Sequence, residues 1–66
     1  MSVAKITEIS ATSKKGFEDA IQEGLARASK TLKNVTGAWI AEQKVDVEND
    51  KVVRYRVTMR VTFILE

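Results

Sequence analysis

Sixty-six residues and 7.4 kDa leave room for one small domain, and a chain this short buries only about 60% of its unfolded-state surface when it folds. There is no cysteine and no histidine, which excludes disulfides, thiolate and imidazole metal sites and the commonest general base, and leaves self-association as the remaining route to stability. Eleven basic residues against nine acidic ones give a net charge of +2, too little to hold nucleic acid or anionic lipid by bulk electrostatics.

The chain has no proline, low-complexity run or internal repeat, so residues 1–66 read as a single domain. Its N-terminus, MSVAKITEIS, shows no apolar stretch behind a basic leader, and the expectation is a soluble cytoplasmic protein that does not engage membranes. Val3 to Ile9 predict a short strand whose alternation is imperfect, because Lys5 and Thr7 share a side with Val3 and Ile9. Ser10, Thr12 and Ser13 offer hydroxyl caps for a following helix, and Glu18 and Asp19 place negative charge near its positive end. That helix is expected to run to about Asn34. Phe17, Ile21, Leu25, Ala28 and Leu32 recur along it at spacings of four, four, three and four, an apolar stripe for one buried face. Gly24 costs roughly 1 kcal/mol relative to alanine inside a helix, which points to a close approach there by another backbone or a ligand.

After Thr36-Gly37 a strand runs to about Glu48, and Glu48-Asn49-Asp50-Lys51 has the composition of a hairpin turn. The last strand is the clearest element: Val53, Tyr55, Val57, Met59, Val61, Phe63 and Leu65 alternate without a break against Arg54, Arg56, Thr58, Arg60 and Thr62. Strand, helix and long hairpin make an α+β domain, a β-α-β-β chain with a three-stranded antiparallel sheet around one helix. One helix covers one sheet face, so the face carrying Arg54, Arg56 and Arg60 is left for identical copies to cover.

Two registers of the hairpin remain open. A two-residue turn at Asn49-Asp50 faces Trp39 with Arg60 and Gln43 with Arg56, putting the tryptophan on the arginine face. A bulge or longer loop slips the pairing by one, pairs Asp46 with Arg54, and moves Trp39, Ala41, Val45 and Val47 to the apolar face.

Three segments resemble the dodecin family: Glu8-Ile9-Ser10-Ala11-Thr12-Ser13; Glu18-Asp19-Ala20-Ile21 with Ala26-Arg27-Ala28; and Val57-Thr58-Met59-Arg60-Val61-Thr62-Phe63-Ile64-Leu65-Glu66. The resemblance covers the whole chain. It implies a hollow homododecamer with no catalytic activity, storing a flavin, FMN or riboflavin, between subunits. In flavin-binding members a tryptophan opening the second strand stacks on the isoalloxazine ring, and a glutamine on the third strand bonds its polar edge. Here the tryptophan position falls on Gly37 and the glutamine position on Arg56, while Trp39 stands two residues later on the same side of a regular strand. Many members carry arginine where this chain has Ile64, and Ala11 replaces a common glycine.

The candidate ligand residues are therefore Trp39, Arg56, Gly37, Gln43 and Lys5. Trp39 would serve as a displaced stacking platform, Arg56 as a guanidinium fork for an anionic group, and Lys5, at a basic position of the family's first strand, as a phosphate contact. Each has a plainer alternative. Trp39 is equally a packing residue, and Arg54, Arg56 and Arg60 are equally partners of Glu42, Asp46 or Glu48 in salt bridges. Asp46, Glu48, Asn49 and Asp50 gather oxygens around the turn without the spacing of a calcium loop. No carboxylate or lysine pair has the spacing of a general acid and base. The rival to a flavin store is a structural or divalent-ion-binding shell of the same architecture.

Overall fold

The computed structural model describes residues 3–65. In chain order these form β1 (Val3–Ser13), α1 (Phe17–Thr31), β2 (Val35–Glu48) and β3 (Lys51–Leu65). The sheet is antiparallel in the order β1-β3-β2, with β3 at the centre. Its unbroken alternation suits that place, since only a strand with partners on both sides is fully paired along its length.

β1 extends four residues beyond the expected Ile9 because β3 offers ladder partners as far as Tyr55: Ser10 faces Thr58, Thr12 faces Arg56 and Ser13 faces Tyr55. The expected capping by Ser10, Thr12 or Ser13 is corrected accordingly. The residue before the helix is Gly16, in extended backbone and with no side-chain cap. Ser13 instead closes the corner, its hydroxyl accepting the Lys15 N–H at 2.9 Å and donating to Asp19 Oδ2 at 2.6 Å. A buried strand-end serine thus tethers the helix's first turn through its acidic residue, which also complements the helix dipole. At the other end α1 stops at Thr31 rather than near Asn34. The Leu32 N–H still reaches Ala28 O at 2.8 Å, but Asn34 turns left-handed (φ 63°) and its carbonyl accepts the Ile64 N–H at 3.1 Å, diverting the chain into β2.

Residues facing one another across a ladder share a side of the sheet. The helix side carries the rows Lys5-Phe63-Val35, Thr7-Val61-Ala38, Ile9-Met59-Ile40, Ala11-Val57-Gln43 and Ser13-Tyr55-Val45. Val57, Met59 and Val61 are fully buried there, with Ala20 and Ala28 above them. The residues of α1 nearest the sheet are Ala20, Gly24 and Ala28, while Phe17, Ile21 and Leu25 flank them half-buried. The buried face is therefore turned from the predicted stripe toward its smallest residues. The reason is proximity: a Cβ on Gly24 would lie 2.5 Å from Met59 Cε and 3.0 Å from Ala11 Cβ, so the close approach is by the protein's own sheet. Phe17 closes the core's end with an edge-to-face contact to Tyr55 at 5.2 Å.

α1 packs on β1 and β3, and β2 is exposed along most of its length. The Cα trace measures 51 × 19 × 13 Å with a radius of gyration of 13.6 Å, against about 11 Å for a globule of this length. A two-stranded ribbon is marginal alone in water, and here much of one projects past the helix, with Val47 and Val52 exposed near its tip. No helix among the described residues is long and apolar enough to cross a membrane.

Candidate ligand-binding site

Both registers left open by the sequence are used, each in a different stretch. Asn49 and Asp50 are both left-handed, with φ of 51° and 64°, the conformation of a two-residue type I′ turn, and Glu48 faces Lys51. Val53 is then an extra residue on β3, so Asp46 faces Arg54 and Val45 faces Tyr55. Ala41 is an extra residue on β2, which cancels the slip, so that Ile40 faces Met59 and Trp39 faces Arg60. A third irregularity at Thr36 precedes Gly37, which faces Thr62. β-bulges redirect side chains locally, and here Thr36 and Ala41 bracket the segment that carries the tryptophan.

The pairing of Gln43 with Arg56 is thus corrected: Gln43 faces Val57 on the helix side, and Arg56 faces Lys44. The alternative that placed Trp39 on the apolar face is corrected too. Trp39 stands on the face away from the helix, 54% exposed.

Across β2, β3 and β1 that bare face reads Gly37-Thr62-Ile6, then Trp39-Arg60-Glu8, Glu42-Thr58-Ser10 and Lys44-Arg56-Thr12, and ends with the pair Asp46-Arg54. The structure therefore brings Gly37, Trp39 and Arg56 to one face, and sends Lys5 and Gln43 to the other. Gly37 has open space where a Cβ would be, so no side chain stands beside Trp39 at that position. Arg56 lies four β3 residues from Arg60, about 13 Å along the strand.

Among the described residues, five charges on this face form two ion-paired groups, while Glu42 and Lys44 share the face outside them. Asp46, its side chain 21% exposed, accepts from Arg56 Nε at 3.2 Å and 3.1 Å through its two oxygens and lies 3.3 Å from Arg54 Nε. One carboxylate thus faces two guanidinium groups and leaves one positive charge in excess. Arg60 Nε meets Glu8 Oε2 at 3.5 Å, an exposed pair directly beside Trp39. Sequence reading missed Glu8 as a member of this face. Its signal was the alignment of Ile9 with Met59 in one apolar row, which also sets Glu8 against Arg60. Among the described residues no three His, Cys, Asp or Glu side chains cluster as a metal site, and the oxygens of Asp46 are already engaged by arginine. On the helix side, Ile9, Ser10, Ala11, Gly24, Arg27 and Ala28 help line a groove of about 380 Å³ along the free edge of β1, remote from Trp39.

Fold and face together define a small β-α-β-β domain with one covered and one bare sheet surface, the bare one carrying an aromatic ring beside an ion pair. The dodecin family profile matches residues 3–66. A dodecin from Thermus thermophilus is 39% identical over 64 residues, covering 97% of this chain and 93% of that protein. The calcium dodecin of Mycobacterium tuberculosis is 32% identical over 63 residues, covering 96% and 89%. Among solved structures, the dodecin from Streptomyces davaonensis superposes with a TM-score of 0.93 at 32% identity, over 98% of this chain and 96% of the other. The chain belongs to the dodecin family.

Proposed function

We propose that the chain is a non-catalytic binding subunit that assembles as a hollow homododecamer in the cytoplasm and stores a planar aromatic ligand, FMN or riboflavin, between subunits. The observation that carries this reading is the placement of Trp39: a large aromatic ring held on a strand, half exposed and beside the open position at Gly37. Exposing such a ring to water in an isolated subunit is unfavourable, and stacking on a flat conjugated ligand at a subunit contact recovers that surface. When bound, a flavin supplies the conjugated ring system, and Trp39 provides its platform. Arg56, held by Asp46, provides positive charge farther along the face. Lys5 and Gln43 reach such a ligand only where a neighbouring subunit turns its helix side toward it.

Assembly is supported by the elongated form with one sheet face bare and by exposed Ile6, Ile40, Val47 and Val52, surface that closed association would cover. The ion-binding alternative draws on the relative named calcium dodecin. The engagement of Asp46 by Arg54 and Arg56 weighs against that role at this cluster.

Sedimentation and fluorescence test the proposal. The protein is expected to sediment as a particle of about twelve times the 7.4 kDa chain mass and to quench the fluorescence of added FMN or riboflavin. Trp39→Ala is expected to assemble normally and lose most of the quenching. A wild-type assembly that leaves both flavins fluorescent refutes the ligand, and a folded monomer at micromolar concentration refutes the shell.

A further inference from the structure

We infer that Glu8 and Arg60 form a charge-setting pair that determines whether the site at Trp39 favours an uncharged or an anionic planar ligand, with Glu8 the specificity-determining residue. This deepens the proposed ligand reading and rests on it. Trp39, Arg60 and Glu8 form one row across the three strands of the bare face. The cation facing the ring from the next strand is therefore Arg60, and its carboxylate partner lies at 3.5 Å on the far strand. The pair sums to zero charge. By contrast, Arg54 and Arg56 share a single carboxylate, and Arg56 lies about 13 Å along the strand from the row of Trp39, beyond a Debye length of about 8 Å at physiological salt.

Glu42, in the next row of the same face on Trp39's own strand, adds a fixed negative charge, and against it the charge that can be switched beside Trp39 is set by whether Arg60 is compensated. With Glu8 ionised, the Arg60 guanidinium is engaged by a carboxylate, and an incoming phosphate must compete with it while being repelled by Glu8 itself. Removing that carboxylate charge leaves an exposed guanidinium with a free fork, the group best suited to bidentate phosphate recognition. Both side chains are half exposed or more, at 59% for Glu8 and 50% for Arg60, so the isosteric Glu8→Gln and the shortening, charge-removing Arg60→Gln both disturb little packing.

The experiment measures dissociation constants for riboflavin and FMN, which differ by the phosphate, on the assembled wild type, Glu8→Gln, Arg60→Gln and the double variant, with assembly checked by sedimentation. Wild type is expected to bind the two flavins within a few-fold of each other. Glu8→Gln is expected to shift the ratio toward FMN by about fivefold, the upper range for one exposed charge pair, and to lose that shift at high salt. In the Arg60→Gln background the Glu8→Gln shift is expected to shrink to the small part due to direct repulsion by Glu8. An unchanged ratio in Glu8→Gln, or a shift undiminished without Arg60, overturns the inference while leaving flavin binding standing. Wild type that binds neither flavin overturns the ligand reading itself, and the inference with it.

Discussion

Gly24→Ala tests whether the distance between α1 and the sheet is fixed by the absence of a side chain. The new methyl carbon would lie 2.5 Å from Met59 Cε, 3.0 Å from Ala11 Cβ and 3.7 Å from Ile9 Cδ1. Met59 has a flexible end, but it is fully buried alongside Val57 and Val61, so its methyl makes room only by repacking within the core. Ala11 has no rotamer with which to yield, and the strand or helix itself must shift. In the variant's favour, alanine exceeds glycine in helix propensity by about 1 kcal/mol. Against it, overpacking a close-packed contact costs roughly 1–3 kcal/mol. The expected net is a loss of about 1 kcal/mol, seen as a fall in melting temperature of about 4–8 °C for a domain of this size. Circular dichroism at one fixed protein concentration measures it, so that any contribution from association is held constant. Gly37→Ala supplies the control: with nothing within 4 Å of its Cβ, it is expected to be neutral or to gain up to about 1 kcal/mol. If Gly24→Ala proves as stable as wild type or more so, the close approach is not what requires glycine.

Two further substitutions probe the corners of the fold. Ser13→Ala removes the hydroxyl that links the Lys15 N–H to Asp19; a loss of about 1–2 kcal/mol is expected in urea unfolding, and an unchanged midpoint would show that the helix start needs no tether. Asp50→Gly relieves a left-handed aspartate (φ 64°) and is expected to raise the unfolding midpoint by about 0.5 kcal/mol, whereas Asp50→Pro, locked near φ −65°, should lower it; the reverse order would contradict a type I′ turn.

Element order, the β2–β3 hairpin and the α+β class were legible because long elements repeat their period many times: β3 alternates over its whole length and α1 carries an apolar stripe over four turns. The phase of the helix was less legible. Hydropathy weights Phe17, Ile21 and Leu25, yet closest approach belongs to Ala20, Gly24 and Ala28, whose smallness is the signal. The ends of β1 and α1 were misjudged because a serine at a strand end and a serine at a helix cap look alike until the partner strand's length is known. For the site, the common face of Gly37 and Trp39 followed from spacing alone, and Arg54, Arg56 and Arg60 from the alternation of β3. The place of Gln43 did not, since the extra residues at Val53 and Ala41 are set by three-dimensional twist and leave no mark in a two-residue period. Glu8 and Arg60, 52 residues apart, meet only through the β1–β3 register.

Val53 and Ala41 sit on opposite strands, and the offset made by one is absorbed by the other. They act as a pair of expansion joints: between them the ribbon runs one residue out of step, and beyond them it is back in phase. The number of residues separating the hairpin tip from Trp39 can therefore fall by one at Ala41, and that separating it from Arg60 by one at Val53, without turning either side chain to the opposite side. A related sequence shorter by one at such a point can present the same surface, and in alignments of such ribbons a gap at these positions is to be read as a regularised joint, not as a rotated strand.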